Sequence, residues 1–322
     1  MLAPTAFESN AQAADDNAFM TATAAAARDG VRAAVLAEHA ALYAALTRAG
    51  VRVQLFAHAA QHGTPDAVFP NNWFSLSHGA LALYPMRCPN RAAERRPELV
   101  AWLRAQPCAR RELDLTDAER ATPPAALEGT GSLVLDHVLA VAYMARSERS
   151  DAALAQRAAD FLGFRELHAF DATDAQGRPV CAWPDAAPRT CVRARIAHCS
   201  PCADHTNVVM SVGTGFAVVC DEAVEDAAQR AALLASLRRG GRDVVCISRV
   251  QMGAMCGNVL ELRDAAGLPL LALSQRAHDA FTAAQRATLL RHVVQLLAVR
   301  IDTLEEVGGG SVRCCLGELF DA

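Results

Sequence analysis

The sequence predicts an α/β fold made of about five copies of one unit, arranged as a propeller or an array. Three observations predict it. Short strand-like apolar runs alternate with longer helical stretches. The succession strand, polar loop, two strands, helix recurs roughly every 55 residues, a period that suggests closed or stacked repeats. The composition, 52% apolar and 20% charged over 322 residues, suits a packed core and not disorder.

The elements follow in order. Residues 1–22 are polar and alanine-rich, marked by Phe7, Asn10, Asn17 and Phe19. Residues 23–49 read as a helix, with Val31, Val35, Leu42 and Leu46 on one face and Gly50 placed to end it. Residues 51–56 alternate like a strand and lead into the loop 66–72. Strand-like runs at 73–76 and 80–84 and a helix over 92–105 follow. The pattern then recurs. Residues 111–115 lead to loop 127–131, runs 132–136 and 138–143, and a helix over 148–163. Residues 164–170 lead to His205, Thr206 and Asn207, runs 208–212 and 216–220, and a helix over 222–238. Residues 243–247 lead to loop 251–258, runs 259–262 and 269–273, and a helix ending near Val299. Residues 300–304 read as a strand leading to Gly308, Gly309, Gly310 and Cys314. The final strand has no helix after it, so the N-terminal helix, which lacks preceding strands, is expected to complete that last unit.

Closing such units in a ring brings all the loops to one end. They hold Asp66, Asn71, Asn72, Glu128, His205, Asn258 and Cys314, so a nucleophile, a base, a carboxylate and several amides would converge. Gly308 to Cys315 is the most pointed stretch. Three glycines allow turns that a Cβ forbids, and an Arg and two thiols follow at once. A thiolate so placed is a nucleophile. The plainer alternative is a glycine turn feeding a last strand with two buried cysteines.

Bulk properties exclude several classes. A net charge of −4 carries no nucleic-acid or anionic-membrane footprint. The chain has no Lys; every basic residue is Arg, which excludes a Schiff-base lysine and the P-loop lysine and favours bidentate carboxylate recognition. No apolar run reaches membrane-span length, the N-terminus lacks a signal-peptide core, and eleven irregularly spaced cysteines do not resemble a secreted disulfide framework. A cytoplasmic protein with reduced thiols is expected. The third unit carries an atypical insert at about 181–204, with Cys181, Cys191, Cys199 and Cys202; it reads as an irregular surface loop, a zinc clip, a redox pair or a lid.

At its loops the chain resembles the guanidino-group modifying superfamily of arginine deiminases, dimethylarginine dimethylaminohydrolases and amidinotransferases. It looks most like the bacterial amidinotransferase-like branch that includes citrulline-utilisation hydrolases. The residues that carry the resemblance are Asp66 with Val68-Phe69-Pro70-Asn71-Asn72-Trp73-Phe74, Glu128-Gly129-Thr130-Gly131-Ser132, His205-Thr206-Asn207-Val208, Gly257-Asn258-Val259-Leu260, and Gly308 to Cys314. They span nearly the whole chain outside the insert. The resemblance implies a five-bladed α/β propeller (pentein) of ββαβ repeats, forming a single catalytic domain over residues 1–322. It implies Cys314 as nucleophile, His205 as general acid/base and Glu128 as carboxylate partner. Asp66, Asn71 and Asn72 fall where relatives grip the planar head group, and Arg91 and Arg146 match arginines that hold the α-carboxylate. Asn258 is a further substrate-side amide, while Cys315 and Cys256 match no catalytic position.

One departure bears on substrate. Guanidinium-specific relatives carry an acidic pair where this chain has Asn71 and Asn72. Amides both donate and accept, as a neutral ureido head requires, whereas a buried cation needs counter-charge. The sequence therefore points to citrulline, hydrolysed to ornithine, ammonia and CO2. The alternatives are an arginine dihydrolase, deiminase or dimethylarginine dimethylaminohydrolase, an amidinotransferase, and a non-catalytic amino-acid-binding propeller. No organic cofactor is implied, and no metal is expected outside the insert. The expected partner is a small arginine- or citrulline-like amino acid, not nucleic acid or membrane, with homo-oligomerisation left open.

Overall fold

The computed structural model describes residues 1–13, 20–21, 27–173 and 205–320. Among these residues the strands form four three-stranded sheets of one design. In the first, β1 (Phe74–Ser77) runs antiparallel to β2 (Ala80–Leu83), and β2 runs parallel to β3 (Arg111–Asp114). The same ββαβ order builds β4 (Val134–Asp136), β5 (Val141–Ala145) and β6 (Glu166–Phe170), then β7 (Met210–Val212), β8 (Phe216–Val219) and β9 (Asp243–Cys246). It ends with β10 (Leu260–Arg263), β11 (Pro269–Ser274) and β12 (Gln295–Val299). A hairpin supplies each antiparallel pair, and a helical crossover is what a parallel third strand demands.

The middle strands are buried along their length, as expected of short apolar runs covered on both faces. The crossover helix Ala152–Leu162 starts at Asp151, whose side chain accepts from the Leu154 amide, and ends at Gly163. It buries Leu154, Ala155, Ala158, Ala159 and Leu162 in one apolar cluster with Tyr84, Ala142 and Met144. At about 1.5–3 kcal/mol per large apolar side chain, such faces hold each helix against its sheet. The N-terminal helix Arg28–Arg48 buries Val35, Leu42 and Leu46 in the cluster that contains Val299, Leu304 and Cys315, so the chain's first helix packs on its last unit.

Three expectations need correction. Residues 51–56 form no strand; Phe56 makes an isolated parallel bridge to Leu2, its carbonyl taking the Ala3 amide and its amide the Met1 carbonyl. The helix expected over 92–105 is two pieces, Pro89–Ala92 and Pro97–Arg104, since Pro97 can begin a helix but not continue one. Residues 300–304 are not a strand: β12 ends at Val299 and the helix Asp302–Gly308 follows. A short apolar run such as Gln295–Val299 does not reveal by periodicity whether it is strand or helix end. The insert at 181–204, with its cysteines and the zinc or redox readings, lies outside the described residues, as does Asn17. Among the described residues no helix is long and apolar enough to cross a membrane, and no cluster of three or more His, Cys, Asp or Glu is set to hold a metal.

Candidate active site

The first strand of each of the first three sheets is preceded by a single helical turn where the sequence suggested open loop. These turns are Pro70–Asn72, Gly129–Ser132 and Thr206–Val209. Glu128 and His205 stand immediately before their turns, and Asn72 ends its own. Equivalent positions of two repeats thus bring a carboxylate and an imidazole together, and the turn of a third adds an amide from its last residue. The turns approach backbone to backbone: at Gly129, φ +46°, a Cβ would lie 2.5 Å from the Asn71 carbonyl oxygen. The fourth wall is Gly308–Gly310. A Cβ on Gly310 would sit 2.8 Å from the Phe69 ring, so the chain reaches Cys314 only by running bare against that ring. Asp66, Phe69, Asn72, Arg91, Arg149, His205, Gly308 to Gly310 and Cys314 line one narrow cavity of about 30 Å³.

One side of this cavity is densely charged and buried. His205 Nε2 lies 2.8 Å from Glu128 Oε2. Glu128 takes both its oxygens to Arg149 Nη1, at 3.1 and 3.2 Å, and Oε1 also accepts the Arg87 amide at 3.1 Å. Ser132 fixes the corner, accepting from the Glu128 amide at 3.0 Å and donating to the Arg149 carbonyl at 2.6 Å. Burial alone would raise the Glu128 carboxyl, but Arg149, His205 and Arg91 together hold it below the usual carboxylate range, so it stays ionised. Burial pulls the His205 imidazole below its usual value, against the bond it donates to Glu128, so it rests neutral and able to take a proton. Arg91 grips Glu94 bidentately at 2.8 and 3.1 Å and lies 3.9 Å from Asp66 and 3.8 Å from Glu128. Burial raises the Asp66 carboxyl and pushes Glu94 up to about 7, both against Arg91.

The sulfur side is neutral. Asn258 Nδ2 lies 3.3 Å from Cys314 Sγ and Asn207 Nδ2 lies 3.8 Å from it. Asn258 is held by the Arg313 amide on its Oδ1, at 3.1 Å, and by donating to Asn207; Asn207 also donates to the Thr130 carbonyl. Charge-assisted bonds from such donors are what a sulfur anion requires in a buried place. Cys315 and Cys256 are fully buried; burial raises both thiols, Cys256 to about 12, which suits core packing and not reactivity.

The structure therefore brings together Cys314, His205, Glu128, Asp66, Asn72, Arg91 and Asn258. Asp66 Oδ1 and Asn72 Oδ1 are buried acceptors with no hydrogen-bond partner among the described residues. Asn71 is buried beside them with both amide atoms unmatched, but it is not part of the cavity wall. Arg146 stands apart: its side chain is 41% exposed and pairs with Asp171 at 3.2 Å. Arg149, three residues on, occupies the site instead. The sequence reading missed Arg149, Glu94 and Asn207. No pattern in the sequence singles out Arg149; Glu94 had only its i+3 spacing from Arg91.

The arrangement can add a sulfur nucleophile to a planar carbon, deliver a proton to a leaving nitrogen and hold N–H donors on two acceptor oxygens. Comparison with known proteins agrees with that capacity. The family model of eukaryotic-type N,N dimethylarginine dimethylhydrolase matches residues 3–182 and 194–321. No curated protein sequence matches. Among solved structures, the N-terminal domain of ArgZ, an arginine dihydrolase of cyanobacteria, in a cysteine-to-serine variant bound to substrate, has a TM-score of 0.69 at 13% identity, over 98% of this chain and 95% of that one. AgrE, in a cysteine-to-alanine variant with L-arginine, has a TM-score of 0.70 at 15% identity, over 100% of this chain and 40% of that one. A dimethylarginine dimethylaminohydrolase carrying a 4-chloro-2-hydroxymethylpyridine adduct has a TM-score of 0.56 at 12% identity, over 88% and 90%. At these identities the structures establish the fold; the family match goes further. The chain belongs to the N,N-dimethylarginine dimethylhydrolase family, within the guanidino-group modifying superfamily, and is a hydrolase of C–N bonds in guanidino compounds.

Proposed function

We propose that this chain is an arginine dihydrolase: a Cys-dependent enzyme that takes L-arginine through the ureido stage to ornithine, in one domain folded as a five-bladed propeller. The observation that carries this reading is Asp66 Oδ1. It is a buried carboxyl oxygen without a partner among the described residues, on the cavity that also holds Cys314 and His205. A guanidinium head, planar and donor-only, is the group that such an oxygen and the neighbouring Asn72 Oδ1 would satisfy. The buried cluster of Asp66, Glu94 and Glu128 against Arg91 and Arg149 also offers one more carboxyl than guanidinium. The counter-charge that Asn71 and Asn72 fail to supply is thus available, and citrulline becomes the intermediate instead of the starting substrate. Relatives of this fold include proteins described as an arginine dihydrolase and as bound to L-arginine.

In the first half, Cys314 Sγ gives its proton to the neutral His205 and adds to the guanidinium carbon, His205 passes that proton to the departing nitrogen, and the C–N bond breaks to release ammonia. Water then adds to the S-linked carbon, His205 takes its proton, and the C–S bond breaks to leave a ureido group. Glu128, held by Arg149, orients the imidazole. In the second half Sγ adds to the ureido carbon, a second ammonia leaves, and water releases a carbamic acid that loses CO2 to give ornithine. Neutral Asn72 suits this uncharged stage. The net change is arginine plus two waters to ornithine, two ammonia and CO2. A second reading, hydrolysis of dimethylarginine to citrulline and dimethylamine, is favoured by the family match along the chain.

End-point assays with arginine, dimethylarginine and citrulline, with Cys314→Ala as blank, test the proposal. Ornithine with two ammonia per arginine is expected. Dimethylamine from dimethylarginine with arginine untouched would install the second reading, and accumulating citrulline would make the enzyme a deiminase.

A further inference from the structure

On the reading of the site as a guanidino-hydrolase centre, we infer that Asn10 is a positioning residue. It makes Asp66 a one-oxygen partner of the head group, so that one carboxyl serves the guanidinium first and the ureido group second. Asn10 is 1% exposed and donates through Nδ2 to Asp66 Oδ2 at 2.6 Å. Its own carbonyl is spoken for: Oδ1 accepts from Asn90 Nδ2 at 2.7 Å and from the Gln12 amide at 3.1 Å. Two donors on that oxygen settle which end of the amide is NH2, and the NH2 faces Asp66.

An NH2 cannot accept a hydrogen bond. Asp66 Oδ2 must therefore present a lone pair to Asn10 in either ionisation state, and Arg91 Nε, 3.9 Å away, reinforces this. Any proton on Asp66 is consequently carried on Oδ1, the oxygen without a partner. Ionised, Oδ1 accepts an N–H of a guanidinium. Protonated, it donates to the carbonyl oxygen of a ureido group, which no guanidinium possesses. The groups facing Asp66 are finely opposed. Burial, the largest influence while the cavity is empty, and Glu128 favour its proton; Arg91, the Asn10 bond and Arg149 favour its anion. An arriving cation reverses that balance. When water has added and the hydrated carbon collapses to the ureido group, the surplus proton of the former cation leaves its hydroxyl for Asp66 Oδ1; the ammonia has already departed.

The segment that carries Asn10 is also part of the site. Ala13 lines the cavity, and Gln12 Oε1 accepts the Asn90 amide at 3.1 Å, one residue before Arg91. The N-terminal segment is thus clamped to the turn that delivers Arg91 while it holds the head-group carboxyl.

The test compares Asn10→Ala and Asn90→Ala with wild type in kcat/KM on arginine and on citrulline across pH. Asn10→Ala should depress citrulline hydrolysis roughly 10-fold more than arginine hydrolysis, the worth of one well-aligned bond, and shift the pH profile of the ratio. Asn90→Ala, which only frees the Asn10 amide to turn, should move the ratio in the same direction by less. Equal losses on both substrates with an unmoved pH profile would reduce Asn10 to a structural contact. A second arm needs no turnover: Cys314 alkylation by cationic 2-chloroacetamidine against neutral 2-chloroacetamide. Wild type should switch preference from neutral to cationic reagent as pH rises, and Asn10→Ala should blunt the switch. If wild type hydrolyses neither amino acid, the hydrolase reading falls, and an alkylation preference identical in wild type and Asn10→Ala overturns the inference on its own.

Discussion

The two walls of the cavity are built on opposite principles. The wall of Asp66, Arg91, Glu94, Glu128, Arg149 and His205 is a closed lattice of alternating charges, nearly all buried. The wall of Gly308 to Cys314, Asn207 and Asn258 contributes amides, bare backbone and a sulfur. Ionisable groups that must hold fixed states at neutral pH need partners in low dielectric, and Glu128 stays anionic only because Arg149, His205 and Arg91 outweigh burial. A nucleophile that must reach a carbon needs access more than charge, and the glycines give it that. Electrostatics sets the protonation states on one side, and the backbone sets the approach on the other.

The sharpest break of this division is Cys314→Ala, which should lower turnover at least ~10⁴-fold with unchanged melting temperature, since nothing else on its wall is nucleophilic. Glu128→Gln attacks the other wall. It should cut kcat by roughly 10²–10⁴ and also destabilise the fold by about 3–5 kcal/mol, because Arg149 and Arg91 lose their shared counter-charge. Steady-state kinetics and urea titration on the same sample separate the two effects. Asn258→Ala should cost about 10–100-fold in kcat/KM and Asn207→Ala less, in line with 3.3 against 3.8 Å to the sulfur.

The charged wall should also show itself in stability against pH. Glu94 is raised to about 7 in the fold, so the folded state holds that proton more tightly than the unfolded chain. Stability should therefore fall as pH rises from the ordinary glutamate range through about 7, by a few degrees in Tm, and Glu94→Gln should flatten the slope. Glu128 has the opposite sign: its contribution is intact at neutral pH and lost only in strong acid. Smallest of all is Arg146→Ala. Paired with Asp171 in solvent, it should leave kcat/KM within about 2-fold.

Much of this site was legible in the sequence, for a physical reason. The loop residues Asn72, Glu128, His205 and Cys314 converge because each repeat delivers its loop to the same end, and repeats show as spacing. The ββαβ order was legible for the same reason, in runs such as 80–84 and 216–220. What escaped depends on direction. Arg146 and Arg149 lie three residues apart on one strand-to-helix connection, and it is Arg149 that faces inward, to bond Glu128. The Asn10–Asp66 bond spans 56 residues and leaves no periodic trace. Nor does the pairing of residues 1–3 with Phe56, which replaces the strand expected at 51–56.

The most direct test of the account is to mix enzyme with excess arginine, quench with acid within one turnover, and map the adduct by peptide mass spectrometry. The account predicts arginine less ammonia attached to Cys314, absent in Cys314→Ala and strongly reduced in a His205→Ala variant, which lacks the acid for the departing nitrogen. Product formed with no adduct, or with the adduct on Cys315 or another cysteine, would contradict it.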